Sequence, residues 1–216
     1  MLQSCVGKAL LDKLADKQVL GLAYWDNGFK VMSANKPLKE VKDFRGQKMR
    51  IQSSKVLDAQ MRTLGASPQV MAFSEVYQAL QTGVVDGTEN PPSNLYTQKM
   101  HEVQKYVTLS DHGYLGYAVI VNKAFWEGLP ADVRTALEAA MAEATTYANE
   151  IARQENEEAL AKVKASGKSE LITLTPAQKA EWKKKLVDVH RQMEDRVGKD
   201  LIQSIYEETG SEIGKL

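Results

Sequence analysis

Residues 48–90 read KMRIQSSKVLDAQMRTLGASPQVMAFSEVYQALQTGVVDGTEN. Three short apolar runs punctuate this stretch, at residues 48–51, 69–73 and 84–86, and each predicts a short strand. Two further extended runs follow at residues 106–109 and 114–121.

The two connecting stretches carry helix signals. Residues 55–64 have apolar residues at helical spacing, and Gly65 follows them, where a left-handed residue ends a helix. Ser74 is placed to cap a helix that runs to Leu80. Strands that alternate with helices over short connections predict a parallel sheet covered by helices, and therefore an α/β fold.

The composition limits the kinds of partner. The chain has 216 residues, with 28 basic and 28 acidic residues and one cysteine. This length predicts one domain or two small lobes, with enough interior to fold without disulfides or metals. Balanced charge leaves no basic excess to neutralise phosphates, so we expect small molecules or proteins as partners and no nucleic acid.

The second half of the chain has a different sequence pattern, with long helical stretches in place of alternating strands and helices. Pro130 occupies a first helical position, and an apolar stripe continues to Gly167 without another glycine or proline. One uninterrupted helix of this length would measure about 50 Å. The alternative is a break at residues 153–156, where the stripe thins. Further on, Thr175 and Gln178 have the spacing of a capping box.

The first 25 residues contain no apolar run long enough for a membrane helix, and no basic start followed by an apolar core. We therefore predict neither an anchor nor a signal peptide in them. Helical spacing leads directly into a strand-like run at residues 19–24, a unit typical of the middle of an α/β domain. We expect that the chain is part of a longer parent.

No catalytic motif is found. His101, His112 and His190 are not at metal-ligand spacing from one another, and Lys105 stands where a zinc-protease helix would place its second histidine. The chain has no nucleophile elbow, phosphate loop or dinucleotide glycine fingerprint. We predict no catalytic residue, cofactor or metal, and interpret His101 as a solvated helix residue.

Three residues at strand ends are better candidates for binding. Ligands of parallel sheets bind beyond the carboxyl ends of the strands, where Arg50, Phe73 and Asn90 are predicted to lie. The rigid fork of arginine meets both oxygens of a carboxylate. A carboxylate pocket and a salt-bridged surface Arg50 have equal weight on these grounds, while Phe73 fits a core position equally well and Asn90 also fits a turn.

Seven segments carry a family resemblance: DFRGQKMRI at 43–51, LGASP at 64–68, MAFSEVYQALQTGVVDG at 71–87, ENP at 89–91, KYVT at 105–108, HGYLGY at 112–117 and LPADVR at 129–134. They resemble the substrate-binding proteins of TRAP (tripartite ATP-independent periplasmic) transporters, and most of all their C4-dicarboxylate branch. The resemblance extends over nearly the whole chain with its spacing intact.

The resemblance implies a type II periplasmic-binding-protein-like fold: two hinged α/β lobes and a long bridging helix that close on a small dicarboxylate such as succinate, fumarate or malate. Arg50 falls on the family's signature arginine, which grips the substrate carboxylate, and Asn90 on an asparagine that bonds the same group. Phe73 matches a pocket aromatic. Lys30, often arginine in relatives, is expected to hold the second carboxylate less rigidly. Ser53 matches a position that often has a longer polar residue.

The same resemblance implies four segments: residues 1–28, a remnant of the first lobe; 29–113, the second lobe; 114–155, a hinge strand, a first-lobe strand and the bridging helix; and 156–216, the end of that helix with C-terminal helices packed on the second lobe. The implied location is the periplasm, and the implied partner is a TRAP membrane permease.

An incomplete first lobe implies weak or absent ligand binding by this chain. Exposed strand edges would favour a homodimer or a strand-exchanged dimer, and the alternative function is a self-associating assembly module built on the long helix.

Overall fold

The computed structural model describes residues 2–211, which separate into two compact units. The first unit comprises the residues up to Gly28, then Gly116–Gln154, and the described residues from Val197 onward. The second unit comprises Phe29–Leu115 and Glu155–Arg196. Among the described residues, no helix combines the length and the apolar character needed to cross a bilayer.

The strands are β1 (Val19–Phe29), β2 (Val31–Ala34), β3 (Lys48–Ile51), β4 (Ser67–Val70), β5 (Gly87–Asn90), β6 (Tyr106–Leu109), β7 (Tyr114–Asn122) and β8 (Glu170–Thr173). The helices are α1 (Cys5–Asp12), α2 (Lys55–Leu64), α3 (Val76–Gln81), α4 (Pro92–Thr97), α5 (Lys123–Glu127), α6 (Ala131–Ser166), α7 (Pro176–Gln192), α8 (Glu194–Val197) and α9 (Lys199–Thr209). Short 3-10 helices lie at Lys13–Lys17, Val41–Phe44, Phe73–Glu75 and Met100–Glu102.

The second unit is built on a mixed sheet with the strand order β4-β3-β5-β2-β6-β8. β3 is parallel to both β4 and β5, so that Arg50 lies beside Gln69 on one side and Thr88 on the other. β2 is antiparallel to β5 and to β6, and β6 is parallel to β8. The parallel arrangement predicted for residues 48–90 is therefore correct for β3, β4 and β5, whereas β2, where no strand was predicted, is antiparallel to both of its neighbours.

A buried core lies on each face of this sheet. On one face, α2 and α7 pack together, and the ring of Trp182 meets the ring of Phe44 edge-on at a centroid distance of 4.9 Å. Ser54 caps α2 by accepting a hydrogen bond from the Leu57 N–H. The helix ends at Gly65, as predicted, and this glycine has a φ of 91°. The other face carries a second cluster of buried residues: Val31, Val76, Ala79, Leu80, Val85, Leu95, Met100, Val107 and Val163.

Two of the strands predicted within residues 48–90 are wrong in position. β4 ends at Val70, so Phe73 begins a 3-10 helix and does not end a strand. The third strand is β5, and not residues 84–86, because the N–H groups of Val84 and Val85 both bond back to the carbonyl of Ala79. That turn buries Val85 completely, and the following residues enter the sheet.

The long helix α6 is continuous over 36 residues, which confirms the prediction of one uninterrupted helix; the alternative, a break at residues 153–156, does not occur. Its residues up to 154 belong to the first unit and those from 155 to the second. The predicted capping box of α7 is confirmed, since the Gln178 N–H donates to Thr175 Oγ1 and the Thr175 N–H donates to Gln178 Oε1.

The first unit contains a two-stranded sheet of β1 and β7. Asn149 of α6 fastens β1 by accepting from the Asp26 N–H at 2.8 Å and donating to the Tyr24 carbonyl at 3.2 Å. Residues 197–211 fall in this unit and α9 contacts α1. This corrects the expectation that all of residues 156–216 pack on the second lobe.

Candidate functional site

Arg50 lies in β3, near its carboxyl end, and is 4% exposed. Its Nε and Nη2 donate hydrogen bonds to the carbonyl oxygen of Met71, at 3.1 and 2.8 Å. Both bonds leave from one edge of the guanidinium. Within residues 2–211, Nη1 has no hydrogen-bond acceptor, so the end edge formed by Nη1 and Nη2 can meet an incoming carboxylate.

Phe73 and Asn90 lie near this arginine. The guanidinium carbon of Arg50 is 5.6 Å from the centre of the Phe73 ring, within the range of a cation–π contact, and Phe73 is 40% exposed. Asn90 is buried at the end of β5, where its Nδ2 is 3.4 Å from Thr88 Oγ1 and 3.6 Å from Met100 Sδ. The structure thus brings a planar cation, an aromatic face and an amide to adjoining positions of one unit.

Lys30 has a different environment. Its Nζ is 2.6 Å from Glu89 Oε1, and both side chains are almost fully buried. The second oxygen of Glu89 is 3.1 Å from His112 Nε2, and His112 Nδ1 is 2.7 Å from the Ser110 hydroxyl. Lys30, Glu89, His112 and Ser110 form one buried polar chain.

The register places Arg50 and Glu89 on opposite faces of the sheet. Arg50 pairs with Thr88, and successive side chains of a strand point to opposite faces, so Arg50 shares its face with Thr88 and Asn90. Glu89 faces the other way, beside Met32 in register. The charge of Lys30 is therefore balanced by Glu89, and Arg50 supplies the positive charge on its own face of the sheet.

The ionisation of the two buried groups follows from their neighbours. Burial lowers the pKa of the Arg50 guanidinium, and the negative charge of Glu89 opposes this effect. Burial alone would raise the pKa of Glu89, but the hydrogen bond from His112 and the charge of Lys30 together outweigh it, so this pKa lies below its ordinary value. Glu89 is therefore an anion at neutral pH.

Ser53 lies in an exposed bend after β3, and nothing in the structure links it to Arg50. Sequence reasoning missed Glu89 and His112, although both stand inside segments of the family resemblance. A buried carboxylate beside a buried lysine leaves no periodic signal, because the antiparallel pairing of β2 with β5 brings residues 59 positions apart together.

His101 is buried, which corrects its interpretation as a solvated residue. It lies in the 3-10 turn Met100–Glu102 and its ring stacks on Tyr96 at 5.1 Å. No cluster of three or more metal-ligating side chains is present in residues 2–211.

A mixed α/β unit with a buried arginine and an amide near its strand ends, and an aromatic ring beside the arginine, has the fold of an extracellular solute-binding protein. The chain belongs to the bacterial extracellular solute-binding protein family 7, whose model matches residues 1–196. This family consists of solute-binding components of transporters and not of enzymes, so the resemblance found in the sequence and the prediction of no enzyme are both confirmed.

Among similar proteins, the C4-dicarboxylate-binding periplasmic protein DctP of Rhodobacter capsulatus is 64% identical over 203 residues, covering 94% of this chain and 61% of the relative. A TRAP periplasmic solute-binding protein of Shewanella oneidensis, solved with bound succinate, superposes with a TM-score of 0.91 at 42% identity over 94% of this chain and 66% of that structure. A Sulfurospirillum deleyianum counterpart, also with succinate, gives 0.88 at 49% identity over 94% and 67%. The chain spans about three fifths of the curated relative's length.

Proposed function

We propose that this chain serves TRAP transport by binding a C4-dicarboxylate of the succinate, fumarate or malate kind. Arg50 binds one carboxylate through its end edge, Phe73 supports the flat guanidinium and Asn90 adds an amide donor. The observation that carries the proposal is the orientation of Arg50: its side edge bonds to the Met71 carbonyl, and its end edge has no acceptor in the part of the chain that the structure describes. The 64% identity to a C4-dicarboxylate-binding relative supports the ligand class.

We also propose Lys30 and Ser53 as ligand contacts, with a smaller contribution to affinity than that of Arg50. Lys30 reaches a second carboxylate only if that carboxylate competes with Glu89, which already lies 2.6 Å from its ammonium. An anion brought near this pair would also meet the charge of Glu89. Arg50 therefore contributes more of the affinity than Lys30 does.

The proposed location is the periplasm and the proposed partner is the membrane permease of a TRAP system, by analogy with the relatives. A polypeptide limited to these 216 residues covers three fifths of the DctP relative. We expect it to bind succinate weakly, with a dissociation constant of about 1 mM or higher.

The experiment is an NMR titration of the 216-residue chain labelled with ¹⁵N-arginine, which detects weak binding directly. Succinate is expected to move the Arg50 Nε–H signal in a saturable manner. The neutral analogue succinamide and sodium chloride at matched ionic strength are the controls. An Arg50 signal that succinate leaves in place, or that sodium chloride moves as far, would show the proposal to be wrong.

A second candidate function, self-association, is favoured by the first unit. In the described residues its sheet has two strands, and such a sheet has marginal stability by itself. Exposed apolar side chains lie on β7 and on the first half of α6, namely Tyr117, Ile120, Val133, Leu137 and Tyr147. Light scattering that gives a monomer mass at high protein concentration would rule this candidate out.

A further inference from the structure

We propose that Asn156 is a positioning residue for the Asn90 side of the site. Asn156 lies on α6, and its Oδ1 accepts a hydrogen bond of 3.0 Å from the backbone N–H of Ser93. Ser93 stands in the first turn of α4, 63 residues earlier in the chain. The consequence for ligand binding rests on the proposed function, because it takes Asn90 as a contact of the dicarboxylate.

The first turn of α4 has a backbone N–H, that of Ser93, whose hydrogen-bond acceptor comes from another part of the chain. The first N–H groups of a helix have no partner inside the helix, and a capping side chain usually supplies one. The residue before α4 is Pro91, which makes no side-chain cap, and Pro92 has no N–H. The Ser93 N–H is therefore the first donor of α4, and Asn156 supplies its acceptor.

The connection from Ser93 back to Asn90 is stiff. Only Pro91 and Pro92 separate the two residues, and the proline ring holds φ close to −65°. Pro91 has φ of −60° and ψ of 153°. With few backbone rotations left in this segment, a change in the direction of the first turn of α4 is transmitted to Asn90.

A second contact links Asn90 to the same long helix. Asn90 Nδ2 is 3.6 Å from the sulfur of Met100, and Met100 belongs to the buried cluster that also contains Val163 of α6. The segment of α6 after residue 154 thus acts on Asn90 through the Ser93 bond on one side and through the core on the other.

Matched variants separate the hydrogen bond from general packing. Asn156→Ala removes the acceptor. Asn156→Asp keeps an oxygen in place, and a carboxylate is favourable at a helix N-terminus. Asn149→Ala is the control on the same helix, because Asn149 bonds to Tyr24 and Asp26 of the first unit.

The experiment follows the side-chain amide signals of Asn90 in the ¹⁵N-asparagine-labelled chain, first without ligand and then with succinate. In Asn156→Ala the Asn90 signals are expected to shift, and the response to succinate to weaken about fivefold to tenfold. Asn156→Asp is expected to restore both, and Asn149→Ala to leave the Asn90 signals in place. If Asn156→Ala does not fold, Asn156→Gln, which displaces the oxygen by one methylene, replaces it.

The ligand-free spectrum tests the positioning role by itself. Asn90 signals that stay in place in Asn156→Ala overturn it, whatever happens to binding. Asn90 signals that shift in Asn156→Ala and return in Asn156→Asp support it, even if succinate moves no signal in the unaltered chain. That last result would overturn the proposed function alone.

Discussion

The guanidinium of Arg50 donates two hydrogen bonds to the backbone carbonyl of Met71. Arg50 is on β3, and Met71 follows β4, the parallel neighbour at the sheet edge. The two bonds engage the side edge of the guanidinium, and Nη1 has no hydrogen-bond acceptor within residues 2–211. The carbonyl that follows β4 thus restrains the guanidinium of the arginine on β3.

Arg50→Lys is expected to weaken the succinate response at least about tenfold, because one ammonium cannot hold the Met71 carbonyl and both carboxylate oxygens. The measurement is a succinate titration followed by amide signals near β3. Arg62→Lys is the matched control, since Arg62 pairs with Asp58 on an exposed face of α2. Equal affinity for succinate in Arg50→Lys and in the unaltered chain would contradict the proposal that the planar guanidinium of Arg50 bonds the Met71 carbonyl and the carboxylate together.

Phe73→Leu is expected to weaken the succinate response about twofold to fivefold, because the contact between the ring and the guanidinium at 5.6 Å is lost. Phe73 is 40% exposed, so the free energy of unfolding should change by no more than about 1 kcal/mol. Val84→Ala, at another exposed apolar side chain, is the control for both measurements. A large loss of stability in Phe73→Leu would mean that this ring is a core residue.

Glu89→Gln is expected to lower the free energy of unfolding by about 3–5 kcal/mol near neutral pH, because Lys30 is left buried without a counter-charge. The folded-state pKa of Glu89 is below its ordinary value of 4.5, so its ionisation stabilises the fold above that pH. This contribution is lost as the pH falls through the lower folded-state value.

Urea unfolding at neutral pH and below about pH 4.5 checks this prediction. The difference in free energy of unfolding between the unaltered chain and Glu89→Gln should be smaller in acid. Asp58→Asn breaks an exposed pair with Arg62 and should cost far less stability than Glu89→Gln, because solvent screens that pair. If this difference in free energy of unfolding grew in acid, the pKa of Glu89 would not be lowered in the folded state.

Gly87→Ala is expected to destabilise the second unit more than Gly83→Ala. A Cβ on Gly87 would overlap the Ser33 carbonyl oxygen, so the pairing of β2 with β5 would have to shift. A Cβ on Gly83 meets nothing within 4 Å, and only its φ of 76° opposes alanine, at about 1–2 kcal/mol. Thermal unfolding of both variants measures the difference, and equal melting temperatures would contradict it.

The positions of β3, α2 and the α7 capping box could be predicted because each depends on neighbouring residues. Gly65, Ser54, Thr175 and Gln178 act through the backbone within one turn of their own positions. Residues 84–86 could not be assigned in this way. Their apolar character fits a strand, but the amides of Val84 and Val85 bond to Ala79 in a turn that Gly83 permits with its φ of 76° and that the burial of Val85 in the core favours.

The sequence by itself determined the α/β alternation, the family and the strand-end arginine at position 50, since these depend on local spacing and on motifs that lie within a few residues. Tertiary structure, in contrast, determines that Lys30 is paired with a carboxylate of the protein and that Arg50 is not. Antiparallel pairing of β2 with β5 sets Lys30 against Glu89, while the alternation of side chains along β5 turns Asn90 toward the face of Arg50. Such pairings join residues far apart in the chain, so no local pattern encodes them.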